Sequence, residues 1–126
     1  MVTRIFLGLV ALSFFAFGFW SLTSPLQMTS QLGVNVSGPN GAFEMSGIYG
    51  GVSLGAGAMC LAGALLDRMG RPALWFLATY MGGYCFARPI SWILHGAPRS
   101  DFHAFIAFEA AILAGAVALL VTRRGV

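Results

Sequence analysis

The sequence predicts an all-α integral membrane protein, a bundle of four transmembrane helices with the N and C termini cytoplasmic. Three observations predict it. The chain has 126 residues, of which 58% are hydrophobic and 9% charged, and its mean hydropathy is +0.82. A soluble domain carries roughly 25% charged residues. A chain this apolar cannot cover itself with polar surface, so lipid is its solvent. The second observation is that its apolar residues fall into four runs, each near the ~17–25 residues a spanning helix needs. The third is an asymmetry among the arginines. All seven basic residues are arginine, and they sit mostly at the ends of the runs. That distribution orients a membrane protein; a nucleic-acid face would cluster them among polar residues.

The first run, 5–22, follows Arg4 and ends near Trp20, an interfacial type of residue. Thr23 to Gly41 is uncharged and polar, with Pro25, Gly33, Pro39 and Gly41 as breakers. The second span, 42–66, ends at the turn Asp67-Arg68-Met69-Gly70-Arg71-Pro72, where Pro72 suits the start of a helix. The third span, 73–94, contains Pro89, which leaves the Cys85 carbonyl without its helical donor and predicts a kink. His95 to Asp101 connects to the fourth span, 102–121, with Ser100 or Asp101 as its cap. The whole chain, 1–126, is thus one domain. Four spans put both termini on one side. Arg4, Arg68, Arg71, Arg123 and Arg124 fall there, against Arg99 and Arg88 toward the other. The rule that positive loops stay inside makes that side cytoplasmic and the protein a multi-pass inner-membrane one.

Two features stand out within the spans. Gly47, Gly51 and Gly55 recur at every fourth residue, as in GxxxG packing, and predict a seam where a neighbouring helix approaches closely. Glu44 shares that stripe by the same periodicity. The second feature is charge inside the bilayer. Arg88 and Glu109 lie at matching depth, each roughly 9–10 Å from the outer boundary at 1.5 Å per residue. An unpaired charge there costs at least ~2.5–3.5 kcal/mol, so the two are expected to pair. Tyr84, one turn from Arg88, and Tyr49, on the glycine helix, add hydroxyls to a candidate ligand-binding cluster of Glu44, Tyr49, Tyr84, Arg88 and Glu109. A purely structural role stands beside this: Glu44 answering a helix N-terminus, and the Arg88–Glu109 pair clamping two helices.

Other chemistry has little support. Gly51-Val52-Ser53-Leu54-Gly55 fits the nucleophile-elbow pattern, but it falls in mid-helix, roughly 15 Å deep, with His95 and His103 at the boundary. An intramembrane hydrolase is therefore the remote alternative, and no catalytic residue is assigned. Cys60 and Cys85 lie in apolar runs and predict no disulfide. No metal-ligand spacing or cofactor motif is present.

Ser24-Pro25 before Leu32-Gly33, Glu44 followed by Gly47-Ile48-Tyr49-Gly50-Gly51, Gly82-Gly83 before Arg88, then His95-Gly96-Ala97-Pro98 and Glu109 carry a resemblance. On these residues the chain resembles the bacterial four-span membrane family catalogued as domain of unknown function 4345. The resemblance implies four membrane spans and no particular activity. This chain departs from the family's pattern at Ser46, where a basic residue is common, and at Pro89.

The expected function is to bind a lipid, isoprenoid or other small amphipathic molecule with its polar end at the outer-leaflet cluster. The alternative is an accessory subunit, packed through its small-residue stripes into a larger membrane complex or a homo-oligomer. No nucleic-acid partner is expected.

Overall fold

The computed structural model describes residues 1–122; Arg123 and Arg124, used above for orientation, lie outside them. Among the described residues every regular element is helical. Helix α1 runs Val2–Thr23, α2 Pro25–Gln31, α3 Gly38–Met45, α4 Val52–Leu65, α5 Gly70–His95 and α6 His103–Thr122. Three helical stretches are long and apolar enough to cross a membrane: Val2–Thr23, Gly38–Leu65 and Ser100–Thr122. These mark a membrane protein.

The polar stretch after α1 is more ordered than its composition predicts. Pro25 opens α2, and Pro39 lies in the first turn of α3, positions where a missing N–H costs nothing. Thr29 is fully buried, and its hydroxyl donates to the carbonyls of Pro25 and Leu26. The second predicted span starts earlier than expected, at Gly38, and is not uniformly α-helical. Ser46–Gly51 forms a π-helical segment between α3 and α4. Its wider turn shifts the phase of the helix by about one residue. Helix α5 continues through Pro89 to His95, where Gly96 with φ 90° ends it. A 3-10 turn, Ser100–Phe102, leads directly into α6.

Helix α1 packs mainly against α4 and the π segment, and α5 against α6 and α4. The core joins Leu7, Val10, Ala11 and Phe14 of α1 to Ala56 and Cys60 of α4, Leu74 and Leu77 of α5, and Ile112 and Ala116 of α6. Arg4 pairs with Asp67, which ties the start of α1 to the turn after α4. That core fills only one half of the bundle. On α5 the buried residues are Ala73, Leu74, Leu77 and Met81, all in its first half. On α6 burial begins at Glu109. Toward the α2–α3 end, α5 and α6 therefore leave space against α1.

The predicted glycine seam is corrected here. A Cβ placed on Gly47, Gly51 or Gly55 meets nothing within 4 Å, and all three glycines are exposed. The close approach occurs on a different stripe. A Cβ on Gly50 would sit 3.1 Å from the backbone nitrogen of Leu22 and 3.2 Å from its Cα. One on Gly18 would meet Leu54 at 2.9 Å and the Gly50 carbonyl oxygen at 3.1 Å. Gly57 faces Phe15 at 3.1 Å, and Gly63 faces the Ala73 Cβ at 2.5 Å. Gly50, Ser53, Gly57, Cys60 and Gly63 thus form the inward stripe, at spacings of three and four. A four-residue glycine repeat shows that a face can be approached, but not which of several such faces turns inward.

Candidate functional site

The space between α1, the π segment, α5 and α6 is a cavity of about 390 Å³. The ladder that leads along α5 into its wall starts from sequence spacing. Phe76, Tyr80, Tyr84 and Arg88 recur at every fourth residue, so they stack along one face of the helix. The Phe76 and Tyr80 rings lie parallel at 5.4 Å, and Tyr80 meets Tyr84 edge-on at 5.4 Å. Arg88 continues the ladder, its guanidinium carbon 5.4 Å from the Tyr84 ring centre and 5.2 Å from that of Phe102.

The expected pairing of Arg88 with Glu109 is present. Arg88 Nε donates to Glu109 Oε2 at 2.9 Å, and Nη2 donates to Oε1 at 2.5 Å. This is the planar two-bond arrangement in which arginine holds a carboxylate most firmly. The Glu109 side chain is only 8% exposed and that of Arg88 30%. Both groups line the cavity. The pair solves the physical problem that placed it in the sequence, since neither charge is left alone in the bundle.

Tyr49 and Tyr84 also line the cavity, as expected. Glu44 does not: it is exposed and absent from the lining. Its placement in the cluster is corrected for the same reason as the glycine seam. Periodicity puts it on the Gly47–Gly51 stripe, and that stripe faces outward.

Several lining residues were not singled out from the sequence. Phe17 is the hub of one wall, with its ring 6.0 Å from Tyr49 and 6.1 Å from Phe105. Nothing in an apolar first span distinguishes Phe17 from its neighbours. Tyr80 was legible, because it precedes Tyr84 by one turn on the Arg88 face. Ser13 and Ser53 face the same space. The Ser13 hydroxyl donates back to the Leu9 carbonyl at 3.1 Å. Ser53 is buried, while His95 and His103 are exposed and do not line this cavity. His103 instead stacks on Trp92 at 5.9 Å.

Leu32, just after α2, reaches the cavity from the connecting loops. The next residue, Gly33, adopts φ +73°, and a Cβ there would come within 2.7 Å of the Arg99 guanidinium carbon. Arg99 is held by Asp101, to which its Nη2 donates at 2.6 Å. The two connections at this end of the bundle therefore meet above the cavity.

With its aromatic walls, a buried carboxylate joined to a partly buried guanidinium and several hydroxyls, the site can hold an apolar body and hydrogen-bond a polar end. No curated protein and no solved structure matches the chain. The chain belongs to the family described as "Domain of unknown function (DUF4345)", whose profile matches residues 2–120.

Proposed function

We propose that this member of DUF4345 is a four-span membrane protein that binds a small lipid-like or otherwise amphipathic molecule in the α1/α4/α5/α6 cavity. The single observation that carries the reading is the cavity itself. Its volume of about 390 Å³ falls in the ~300–1,000 Å³ range of small-molecule sites, and its apolar walls converge on a few polar groups, as such sites do.

Helix α5 supports the fourth crossing. It is less apolar than the other three, but its 26 residues reach roughly 39 Å at 1.5 Å per residue. The Arg4–Asp67 pair puts the start of α5 near the start of α1, and α6 begins at the opposite end, which supports a crossing by α5. Arg4, Arg68 and Arg71 then gather at the terminal end, which supports cytoplasmic termini in a bacterial inner membrane and a cavity in the outer leaflet.

The test is native mass spectrometry of protein purified in mild detergent. Wild-type protein is expected to retain a small mass. Ala104 is exposed and lines the cavity, so Ala104→Trp should fill the space without disturbing the core, and the retained mass should disappear. A mass retained equally by both proteins, or by neither, would overturn the reading. The outward face of Gly47, Gly51 and Gly55 favours one second reading, that of an accessory subunit packed against another membrane helix. Stoichiometric copurifying polypeptide, lost in Gly51→Leu, would support that reading instead.

A further inference from the structure

We propose that the molecule held in this cavity has a neutral head group bearing hydrogen-bond acceptors, an ester- or ketone-type oxygen, and is not a carboxylate, phosphate or amine. The inference rests on the binding reading above and narrows it to a chemical class.

Charge comes first. The charged residues lining the cavity are Arg88 and Glu109, and each is already neutralised by the other through two hydrogen bonds. The other charged groups at this end lie elsewhere: Glu44 is exposed, and Arg99 is paired with Asp101. A charged head entering the cavity would lose its water and find no uncompensated partner, which is the costly way to bury an ion. A neutral head loses far less.

Hydrogen-bonding capacity comes second. A guanidinium has five N–H donors and no acceptor. Glu109 takes one from Nε and one from Nη2, so three remain. The hydroxyls of Tyr49, Tyr84 and Ser53 can also donate into the space they line. Each hydroxyl can also accept, and Glu109 keeps about two of its four lone-pair sites, so the three spare N–H groups of Arg88 leave the wall slightly richer in donors than acceptors. A ligand oxygen that only accepts is the complement. Rings of Tyr84 and Phe102 lie against the guanidinium, so it is left to donate from its edge, which favours a single well-placed oxygen. The remaining wall, with Phe14, Phe17, Phe105 and Phe108, suits an apolar body.

Three probes of one chain length separate these terms. Methyl decanoate is neutral and keeps the carbonyl acceptor, decanoate carries a negative charge, and decane has no acceptor. Each is added at equal membrane mole fraction to full-length protein in nanodiscs. Affinity is read from the rise in unfolding midpoint, because a ligand that binds only the folded state stabilises it by mass action. In wild type the ester should bind at least tenfold more tightly than either decanoate or decane. Glu109→Gln preserves shape but leaves Arg88 as an uncompensated cation, so decanoate should overtake the ester. Should that variant fail to fold, Tyr49→Phe removes a donor without touching the ion pair. It should weaken the ester several-fold and leave decane unchanged.

Decanoate binding as tightly as the ester to wild type would overturn the neutral-head inference, and so would an unchanged ranking in Glu109→Gln. Either result would leave ligand binding itself intact. Equal loss of ester and decane in Tyr49→Phe would also overturn it. If none of the three probes binds and Ala104→Trp changes no copurifying mass, the binding reading falls along with the inference.

Discussion

Gly50 and Gly51 are adjacent in sequence and lie on different faces of one helical segment, which makes them a controlled pair. Replacing either with alanine removes the conformational freedom of glycine in a helix, a gain of roughly 0.5–1 kcal/mol. At Gly51 nothing opposes the gain, since the added Cβ meets no atom within 4 Å. Gly51→Ala should therefore be neutral or up to ~1 kcal/mol more stable. At Gly50 the Cβ would lie 3.1 Å from the Leu22 nitrogen, 3.2 Å from its Cα and 3.2 Å from its Cβ. Two of these are backbone atoms of α1, so relief requires the helices to move apart. Overpacking of this kind costs roughly 1–3 kcal/mol. The two variants should then differ by about 1–3 kcal/mol, with Gly50→Ala the less stable. The assay is equilibrium unfolding by sodium dodecyl sulfate titration in mild detergent, with helix content as the signal. Leu22→Ala should not rescue Gly50→Ala, because the obstructing atoms are largely backbone. Equal stabilities for Gly50→Ala and Gly51→Ala, within ~0.5 kcal/mol, would refute the assignment of the inward stripe.

Two further predictions address the site and its cover. Arg88→Leu and Glu109→Leu should each destabilise by about 2–3 kcal/mol, because each leaves a lone charge in the bundle. The double substitution should recover at least ~1 kcal/mol in the same unfolding assay, and strict additivity of the two losses would show that the charges are not coupled. Gly33→Ala should cost about 1–2 kcal/mol for its left-handed backbone, plus the overlap with Arg99. In an Arg99→Ala background only the backbone part should remain, and an identical cost in both backgrounds would mean that Arg99 does not pack on Gly33.

The helical, apolar character of the chain was legible in its sequence because it is a property of composition and run length, which no packing arrangement can alter. The Arg88–Glu109 pair was legible for a related reason. Two opposite charges at the same depth, on helices joined by a short connection, have no cheaper solution than each other. Tyr84 followed from Arg88 by a single helical turn.

What escaped the sequence was mostly a matter of rotation. Glycine recurs on several stripes of the second span, and Gly47–Gly51–Gly55 looks better formed on paper than Gly50–Gly57. Local spacing is blind to which stripe turns inward. That is decided by whether a partner helix can seat there, and α1 offers Gly18 and the Leu22 backbone to Gly50. Glu44, which periodicity puts on the Gly47–Gly51–Gly55 stripe, ends on the outside with it. The cavity is likewise a tertiary product. It exists because α5 beyond Met81 and α6 before Glu109 have no fully buried residue, and no single segment encodes a gap between helices. The sequence by itself determined that the chain lives in lipid, that it is helical and that Arg88 needs Glu109. Only the tertiary structure decided which faces meet and where space is left, because helix rotation is set by contacts between segments rather than within them.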